Sequence, residues 1–80
     1  MKKNTDPQEY KDTNVLLLGV ECLRDTNSAI LVFFNGEEHW IPQSQIHEDS
    51  EVWKRGDKGK LIITKWIAKK RNLWDEEDED

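Results

Sequence analysis

The sequence predicts a mainly β fold: a small SH3-like or related antiparallel barrel, or a curved sheet, of four to five strands with one C-terminal helix at about 64–73. Three observations predict it. An Asn-Gly pair at 35–36 separates two segments rich in β-branched and aromatic residues. Turn-forming residues cluster between the other apolar segments. A basic segment after Thr64 has the spacing of apolar residues that a short helix needs.

The first half of the chain is expected to hold three strands. Residues 14–24 are apolar enough for either a strand or a helix, but Gly19 favours a strand with a bend or bulge. Residues 29–34 and 37–41 should pair as a hairpin, because Asn-Gly suits the type I′ turn that joins two strands tightly. Alternation along the second strand then separates His39 and Ile41 from Glu38 and Trp40, on opposite faces.

The second half is expected to hold shorter elements. Pro42 ends the hairpin and precedes one helical turn that directs Ile46 inward. Residues 51–53 are a possible short strand, 55–59 a turn and 60–64 a strand. Thr64 is the expected N-cap of the helix and Asn72 its left-handed end. The residues that share one helical arc, and should dock on the sheet, are Trp66, Ile67, Leu73 and Trp74.

The 80 residues are sufficient for one domain, which we place at 14–74 between a flexible N-terminal arm, 1–13, and a disordered acidic tail, 75–80. The chain begins with two lysines, yet no apolar segment of signal-peptide length follows, and none could span a bilayer. The single cysteine, Cys22, excludes an intramolecular disulfide and is expected to be a buried thiol. We therefore expect a cytoplasmic protein.

No pattern of catalytic or metal-binding residues is evident. His39 and His47 are seven residues apart, and neither forms a recognised ligand pair with Cys22 or a carboxylate. Ser44 lacks the glycine-flanked elbow of a nucleophilic serine, and the four glycines form no phosphate-binding loop. We predict that the chain is not an enzyme and uses no cofactor and no metal.

Charge is distributed unevenly. The net charge is −5, but the six acids of 75–80 account for more than all of it, so the rest of the chain carries +1. Residues 53–73 contain eight Lys or Arg and one acid, with tryptophans between them, and this combination is typical of nucleic-acid surfaces. The predicted nucleic-acid contacts are Lys54, Arg55, Lys58, Lys60, Lys65, Lys69 and Arg71. An acidic tail could compete with DNA or RNA for them.

Residues 36–73 resemble a group of short uncharacterised proteins of phages, prophages and other mobile elements. The shared pattern comprises Gly36-Glu37-Glu38, Trp40-Ile41-Pro42, Ser44-Gln45-Ile46, Asp49-Ser50-Glu51-Val52, Gly56, Gly59, Leu61, Ile63, Trp66, Ala68 and Leu73. The resemblance covers about half of the chain and brings no assigned activity. It implies an accessory role in replication, recombination or counter-defence, and for a phage-encoded chain a location in the host cytoplasm.

A second resemblance concerns the fold alone. A tryptophan strand, a proline and a one-turn helix, at residues 40–46, look like the late part of an SH3-type barrel. The aromatic motif with which SH3 domains bind proline-rich peptides is missing.

Two functions remain open on the sequence. A protein-interaction module would bind a host or phage protein through an exposed sheet face, with Trp40 or Trp53 as its anchor. A nucleic-acid-binding module would use the basic residues of 53–73 and be inhibited by its own acidic tail. We favour the interaction module and expect no membrane contact.

Overall fold

The computed structural model describes residues 7–11 and 13–74, which form one five-stranded antiparallel sheet and one short helix. The predicted mainly β fold with a C-terminal helix is confirmed. The elements are β1 (Gln8–Tyr10), β2 (Asn14–Asp25), β3 (Ala29–Phe34), β4 (Glu37–Pro42), a 3₁₀ turn (Gln43–Gln45), β5 (Lys58–Thr64) and α1 (Lys65–Lys70).

Strand β2 organises the sheet, because its 12 residues pair with three other strands. Residues 14–16 pair with β1, residues 14–21 pair with β5, and residues 21–25 pair with β3, which continues into β4. Residues 14–24, for which the sequence allowed either a strand or a helix, therefore form a strand. The predicted irregularity at Gly19 is confirmed, since the register against β5 shifts between Leu17 and Val20.

The hairpin of β3 and β4 has the predicted turn. Asn35 and Gly36 have φ angles of 50° and 83°, the two positive values that a type I′ turn requires. The register places Phe34 opposite Glu37 and continues to Ala29 opposite Pro42, where β4 ends. His39 and Ile41 face the core and Trp40 faces outward, as the alternation predicts.

One hydrophobic core lies between the inner face of the sheet and α1. Its members come from all strands except β1, from α1 and from the segments between them. The largest fully buried side chains in it are Leu17, Ile30, Ile41, Leu61, Ile63 and Ile67. Cys22 also belongs to this core, with 1% of its surface exposed, so the predicted buried thiol is confirmed.

The sheet is open, but the segment after the 3₁₀ turn covers the outer edge of β5. Ile46 is buried as predicted and forms an isolated bridge to Ile63. Further along, the His47 N–H donates to the Ile62 carbonyl at 2.8 Å, and the Glu51 N–H donates to the Lys60 carbonyl at 2.9 Å. The short strand predicted at 51–53 is wrong: this segment makes single hydrogen bonds to β5 instead of a continuous ladder.

Residues 8–10, in the segment predicted as an arm, form strand β1 against residues 14–16 of β2. The Tyr10 hydroxyl donates a 3.0 Å hydrogen bond to Asp49, which joins β1 to the segment that covers β5. The rest of the predicted arm before Pro7, Asp12 and the predicted tail at 75–80 lie outside the described residues.

Helix α1 begins as predicted and ends earlier. The Thr64 side chain accepts a hydrogen bond from the Ile67 N–H, which makes it the N-cap. Asn72 adopts φ 60°, the left-handed conformation that was expected there, but the helix already ends at Lys70. Of the four residues predicted to dock on the sheet, Ile67 and Leu73 belong to the core and Trp74 packs against it, although Leu73 and Trp74 follow the helix. The prediction is wrong for Trp66, which is 58% exposed.

Candidate functional site

The outer face of the sheet carries two rows of side chains that cross β2, β3 and β4. In one row Phe33 lies between Glu21 and Glu38, its partners on the two neighbouring strands. In the other row Leu31 lies between Arg24 and Trp40. Directly paired residues of antiparallel strands project to the same side of a sheet, so the rows share this face.

Two aromatic side chains dominate this face. Phe33 is 40% exposed and Trp40 is 41% exposed. They are diagonal neighbours on paired strands, a relationship that places Cβ atoms roughly 7–8 Å apart. The face therefore presents a continuous apolar surface formed by Leu31 and the two rings, which we call the aromatic face.

A groove of about 520 Å³ borders the aromatic face beside Trp40. Its lining consists of Leu23, Arg24, Asp25, Thr26, Trp40 and Arg55. The groove exists because the turn at 53–57 docks against β2. The Gly56 N–H donates to the Cys22 carbonyl at 2.9 Å, and the Cys22 N–H donates to the Asp57 carbonyl at 2.9 Å.

Asp57 holds this turn in shape. One oxygen of its carboxylate accepts hydrogen bonds from the N–H groups of Trp53 and Lys54, both at 2.9 Å. These backbone hydrogen bonds lower the pKa of Asp57, because they stabilise the charged carboxylate. The Arg55 N–H donates in turn to Asp25 at 3.0 Å, so the position of Arg55 at the groove is fixed by its main chain.

The side chains of the two arginines that line the groove are available for binding. Arg24 and Arg55 are exposed, and neither guanidinium has an ion pair or hydrogen bond within residues 7–11 and 13–74. Arg24 stands next to a register shift of β2 against β3, between Cys22 and Arg24. A guanidinium in this setting can bind a carboxylate or phosphate with two parallel hydrogen bonds.

Trp53, the second predicted anchor, has a different environment from Trp40. It is half-buried and packs against the core, and its indole N–H donates to the Ser50 carbonyl at 3.0 Å. This arrangement gives Trp53 a place in the turn structure and leaves Trp40 as the tryptophan on the exposed sheet face.

The structure divides the predicted nucleic-acid contacts into two groups. Lys54 and Arg55 lie in the turn before β5 and Lys58 and Lys60 at its start, while Lys65, Lys69 and Arg71 lie on or just after α1. The nearest members, Lys60 and Lys65, are separated by roughly 17 Å of extended backbone. The first group has acids beside it, since Lys58 pairs with Glu21 and the Lys60 N–H donates to Glu51.

The second group makes several contacts within the chain. Lys65 forms a 2.9 Å ion pair with Glu9 of β1, and its ammonium also lies 5.6 Å from the centre of the Trp74 ring. The Arg71 Nε–H donates to the Trp40 carbonyl at 2.8 Å, which ties the end of α1 to β4. Lys70 was not among the predicted contacts, but it also lies on α1, and its ammonium is 5.0 Å from the centre of the exposed Trp66 ring, within cation–π distance.

The residues considered for catalysis or metal binding are dispersed. Burial raises the pKa of the Cys22 thiol, which donates to the Arg24 carbonyl. His39 is buried, while Nδ1 of His47 accepts from the Asp49 N–H at 3.0 Å. Among the described residues, no group of three or more His, Cys, Asp or Glu side chains is placed to hold a metal ion. Ser44 is exposed in the 3₁₀ turn.

Three residues of the exposed face were not identified from the sequence: Arg24, Leu31 and Phe33. A signal for the last two was present, because the Asn-Gly turn fixes which residues of β3 share a face with Trp40. The sequence gave no such signal for Arg24. A register shift lies beside it, and simple alternation along β2 does not predict which face its side chain occupies after that shift.

The described part of the chain contains no helix that is long and apolar enough to cross a membrane. Comparison with known proteins adds no relative to these observations: no protein-family model, curated protein or solved structure matches the chain significantly.

Proposed function

We propose that this chain is a non-catalytic module that binds a partner protein through the aromatic face and its groove. The observation that carries the proposal is the exposure of Trp40 beside Phe33. Next to them are two arginines whose guanidinium groups make no ion pair or hydrogen bond within the described residues. Tryptophan and arginine are the residues most enriched among those that dominate binding energy at protein interfaces. Aromatic side chains also bury about 150–250 Å² each when they are covered.

The charges on this face favour a protein over a nucleic acid. Phe33 lies between two glutamates, Glu21 and Glu38, and Glu21 pairs in turn with Lys58 of β5, so charges of both signs border the apolar centre. Mixed charges suit a protein surface better than a uniformly anionic phosphate backbone. The arginines lie on the other row and along the groove. A fitting partner surface is apolar at its centre, with a basic side chain toward the glutamates and a carboxylate toward Arg24 and Arg55.

The biological setting follows from the sequence resemblance and is part of the same proposal. A chain that resembles small proteins of phages and mobile elements would act as an accessory factor in the host cytoplasm. Its partner would be a host or phage protein, and its action would consist of occupying a surface of that protein. Neither a cofactor nor a metal enters this function.

A photo-crosslinking experiment tests the proposal. A photoreactive amino acid replaces Leu31, between Arg24 and Trp40, and the protein is irradiated in a nuclease-treated lysate of its source cells. We expect crosslinks to one partner protein. In binding assays with that purified partner, W40A should weaken the affinity about 30-fold, corresponding to about 2 kcal/mol for an aromatic anchor.

The matched control is W66A, which removes a second exposed tryptophan from α1 and leaves the aromatic face intact. Its affinity for the partner should stay within about twofold of the unmodified protein. Equal loss of affinity in W40A and W66A, or binding that is indifferent to both, contradicts the proposed interface.

A specific observation favours a second candidate, nucleic-acid binding through α1. Trp66 is 58% exposed with the Lys70 ammonium over its ring, and Lys69 lies on the same short helix. A base can stack on such a ring while lysines neutralise neighbouring phosphates. The acidic residues 75–80 follow directly in the chain after Trp74, so in this proposal they compete for the same cations.

Binding of a labelled 15-nucleotide oligothymidylate tests this second candidate, with poly-uridylate of equal length to compare DNA with RNA. We expect affinity to fall steeply between 50 and 200 mM salt, on the order of tenfold or more, and to rise when 75–80 are deleted. W66A should weaken binding and W40A should not. Salt-independent binding, or equal affinity of the full and shortened chains, excludes this candidate.

A further inference from the structure

Strand β4 is the last strand of the sheet beyond β3, and no strand of the described residues lies beside its free edge. The outer edge of β5, by contrast, is covered by the backbone of residues 46–51. An uncovered edge presents a row of main-chain N–H and C=O groups, which is a template for pairing with another extended chain. The free edge of β4 is therefore a place where a further strand can be added.

The register of the hairpin decides which main-chain groups of β4 face this edge. A two-residue turn is flanked by a pair that exchanges hydrogen bonds, here Phe34 and Glu37. Along an antiparallel ladder such pairs alternate with pairs whose N–H and C=O groups point away from each other. The main-chain groups of Glu38 and Trp40 therefore point away from β3, toward the free edge.

The Arg71 side chain agrees with this orientation. Its Nε–H donates to the Trp40 carbonyl at 2.8 Å, and it reaches that oxygen from outside the ladder of β3 and β4. A carbonyl oxygen has two lone pairs, so it can accept an N–H from an added strand beside Arg71. Within residues 7–11 and 13–74, the main-chain N–H groups of Glu38 and Trp40 donate to no acceptor. Two donors thus stand ready on the edge.

The charges at this edge disfavour a second copy of the chain. Two β4 edges paired around Glu38 would place the two glutamates directly opposite each other, and like charges in that position are destabilising. Pairing around Trp40 would bring two Arg71 guanidinium groups to neighbouring carbonyls, where they repel. Glu38 is exposed and has no ion pair among the described residues, so its carboxylate is available to a basic side chain of a different protein.

We propose that the partner protein adds an extended strand to the free edge of β4, with a basic residue opposite Glu38 and an apolar residue opposite Trp40. This inference rests on the proposed function, because it concerns the same partner and the same indole ring. Side chains of directly opposite residues project to one face of a sheet, so the apolar residue extends the aromatic face. Main-chain hydrogen bonds supply the affinity of such an added strand, and its alternate side chains supply the specificity.

A synthetic peptide, acetyl-Val-Thr-Val-Thr-Lys-Thr-amide, is the probe that tests this inference on the full chain. In an antiparallel register its second valine lies opposite Trp40 and its lysine opposite Glu38. Binding is followed by the backbone ¹H–¹⁵N resonances of the protein. We expect the amide resonances of Glu38 and Trp40 to shift saturably at millimolar peptide concentration, because their N–H groups acquire acceptors.

Two methylated forms of the peptide provide a matched comparison. Methyl groups on the main-chain nitrogens of the second valine and the lysine remove the N–H donors that face β4, whereas methyl groups on the first two threonines leave those donors in place. The first form should bind about tenfold more weakly than the second. In the protein, E38K should weaken the unmethylated peptide about fivefold, because lysine then opposes lysine. E48K, which changes an exposed acid beside β5, should stay within about twofold.

The outcomes separate this inference from the proposed function. Equal affinity of the two methylated peptides, or the absence of saturable shifts at Glu38 and Trp40, overturns strand addition. The same shifts on raising the protein concentration without peptide would show a second copy at the edge and would also overturn it. If the peptide fails to bind while W40A still weakens the partner, the aromatic face stands and the added strand falls. Peptide binding without any crosslinked partner supports the edge and contradicts the proposed function.

Discussion

The hydroxyl of Ser50 bonds both backbone groups of Ile62 and so takes the place of a neighbouring strand residue. It accepts from the Ile62 N–H at 2.8 Å and donates to the Ile62 carbonyl at 3.2 Å, although the two residues are 12 positions apart. Ser50 is buried at this position. One side chain therefore completes the outer edge of β5 at a point where no strand of the described residues covers it.

The variant S50A should lower the free energy of unfolding by about 1–3 kcal/mol, because it leaves the buried Ile62 N–H without a partner. Chemical denaturation measured by tryptophan fluorescence checks this. The control is S44A, which removes an exposed hydroxyl from the 3₁₀ turn and should change stability by less than about 0.5 kcal/mol. Similar losses in the two variants would contradict the role assigned to Ser50.

Gly59 and Gly36 both have positive φ but differ in their surroundings. Gly59 has φ 143°, and a Cβ there would collide with the Glu51 side chain; Gly36 has φ 83° and nothing within 4 Å of the same position. G36A should cost about 1–2 kcal/mol of stability from backbone strain alone. G59A should cost more, because strain and collision add. Thermal unfolding of both variants provides the comparison, and a smaller loss for G59A would refute it.

The stability of the protein should depend on pH through His39. Burial lowers its pKa in the folded state, so between that value and the ordinary 6.5 the unfolded chain binds a proton that the folded chain does not. The stability that comes from keeping His39 neutral is therefore fully present above pH 6.5 and is lost as the pH falls toward the folded-state pKa. Unfolding free energies at pH 7.5 and pH 5 should differ less in H39Q than in the unmodified protein. H47Q, which retains His39, should keep the larger difference.

Thr64 has two tasks at the start of α1. Its hydroxyl accepts from the Ile67 N–H at 3.3 Å and donates to Gln45 at 2.6 Å, which links the helix to the 3₁₀ turn. T64A should cost about 0.5–2 kcal/mol, and T64S should recover most of it because the hydroxyl is retained. Urea denaturation of the three proteins measures both changes. If T64S were as unstable as T64A, the methyl group and not the hydroxyl would be the stabilising part.

Local chemistry made much of this fold predictable. The hairpin follows from Asn35 and Gly36, which favour positive φ whatever surrounds them, and the outward position of Trp40 follows from alternation. Strand β1 was not predictable, because Gln8 and Glu9 have weak strand propensity and acquire their conformation from pairing with β2. The same limit applies to tertiary contacts such as the bond between Ser50 and Ile62.

The candidate site was predictable only in part, for a related reason. Trp40 was placed by alternation, and Arg55 was named as part of a basic stretch but lies at the groove because its turn docks on β2. The exposure of Trp66 was missed because the helix was taken to run to residue 73. A helix of six residues has too few turns for an arc to be meaningful, so the short α1 leaves Trp66 in solvent.

Strand β4 places His39 and Trp40, consecutive residues, on opposite faces of the sheet. The Asn35–Gly36 turn sets the register of the hairpin and so decides which alternate residues of β4 point inward. A single inserted or deleted residue in that turn would therefore rotate the whole strand by half a revolution, bringing the large indole into the interior and the imidazole to the surface. A change in the turn by an even number of residues would keep this orientation, whereas an odd change would remove the indole of Trp40 from the groove that it lines.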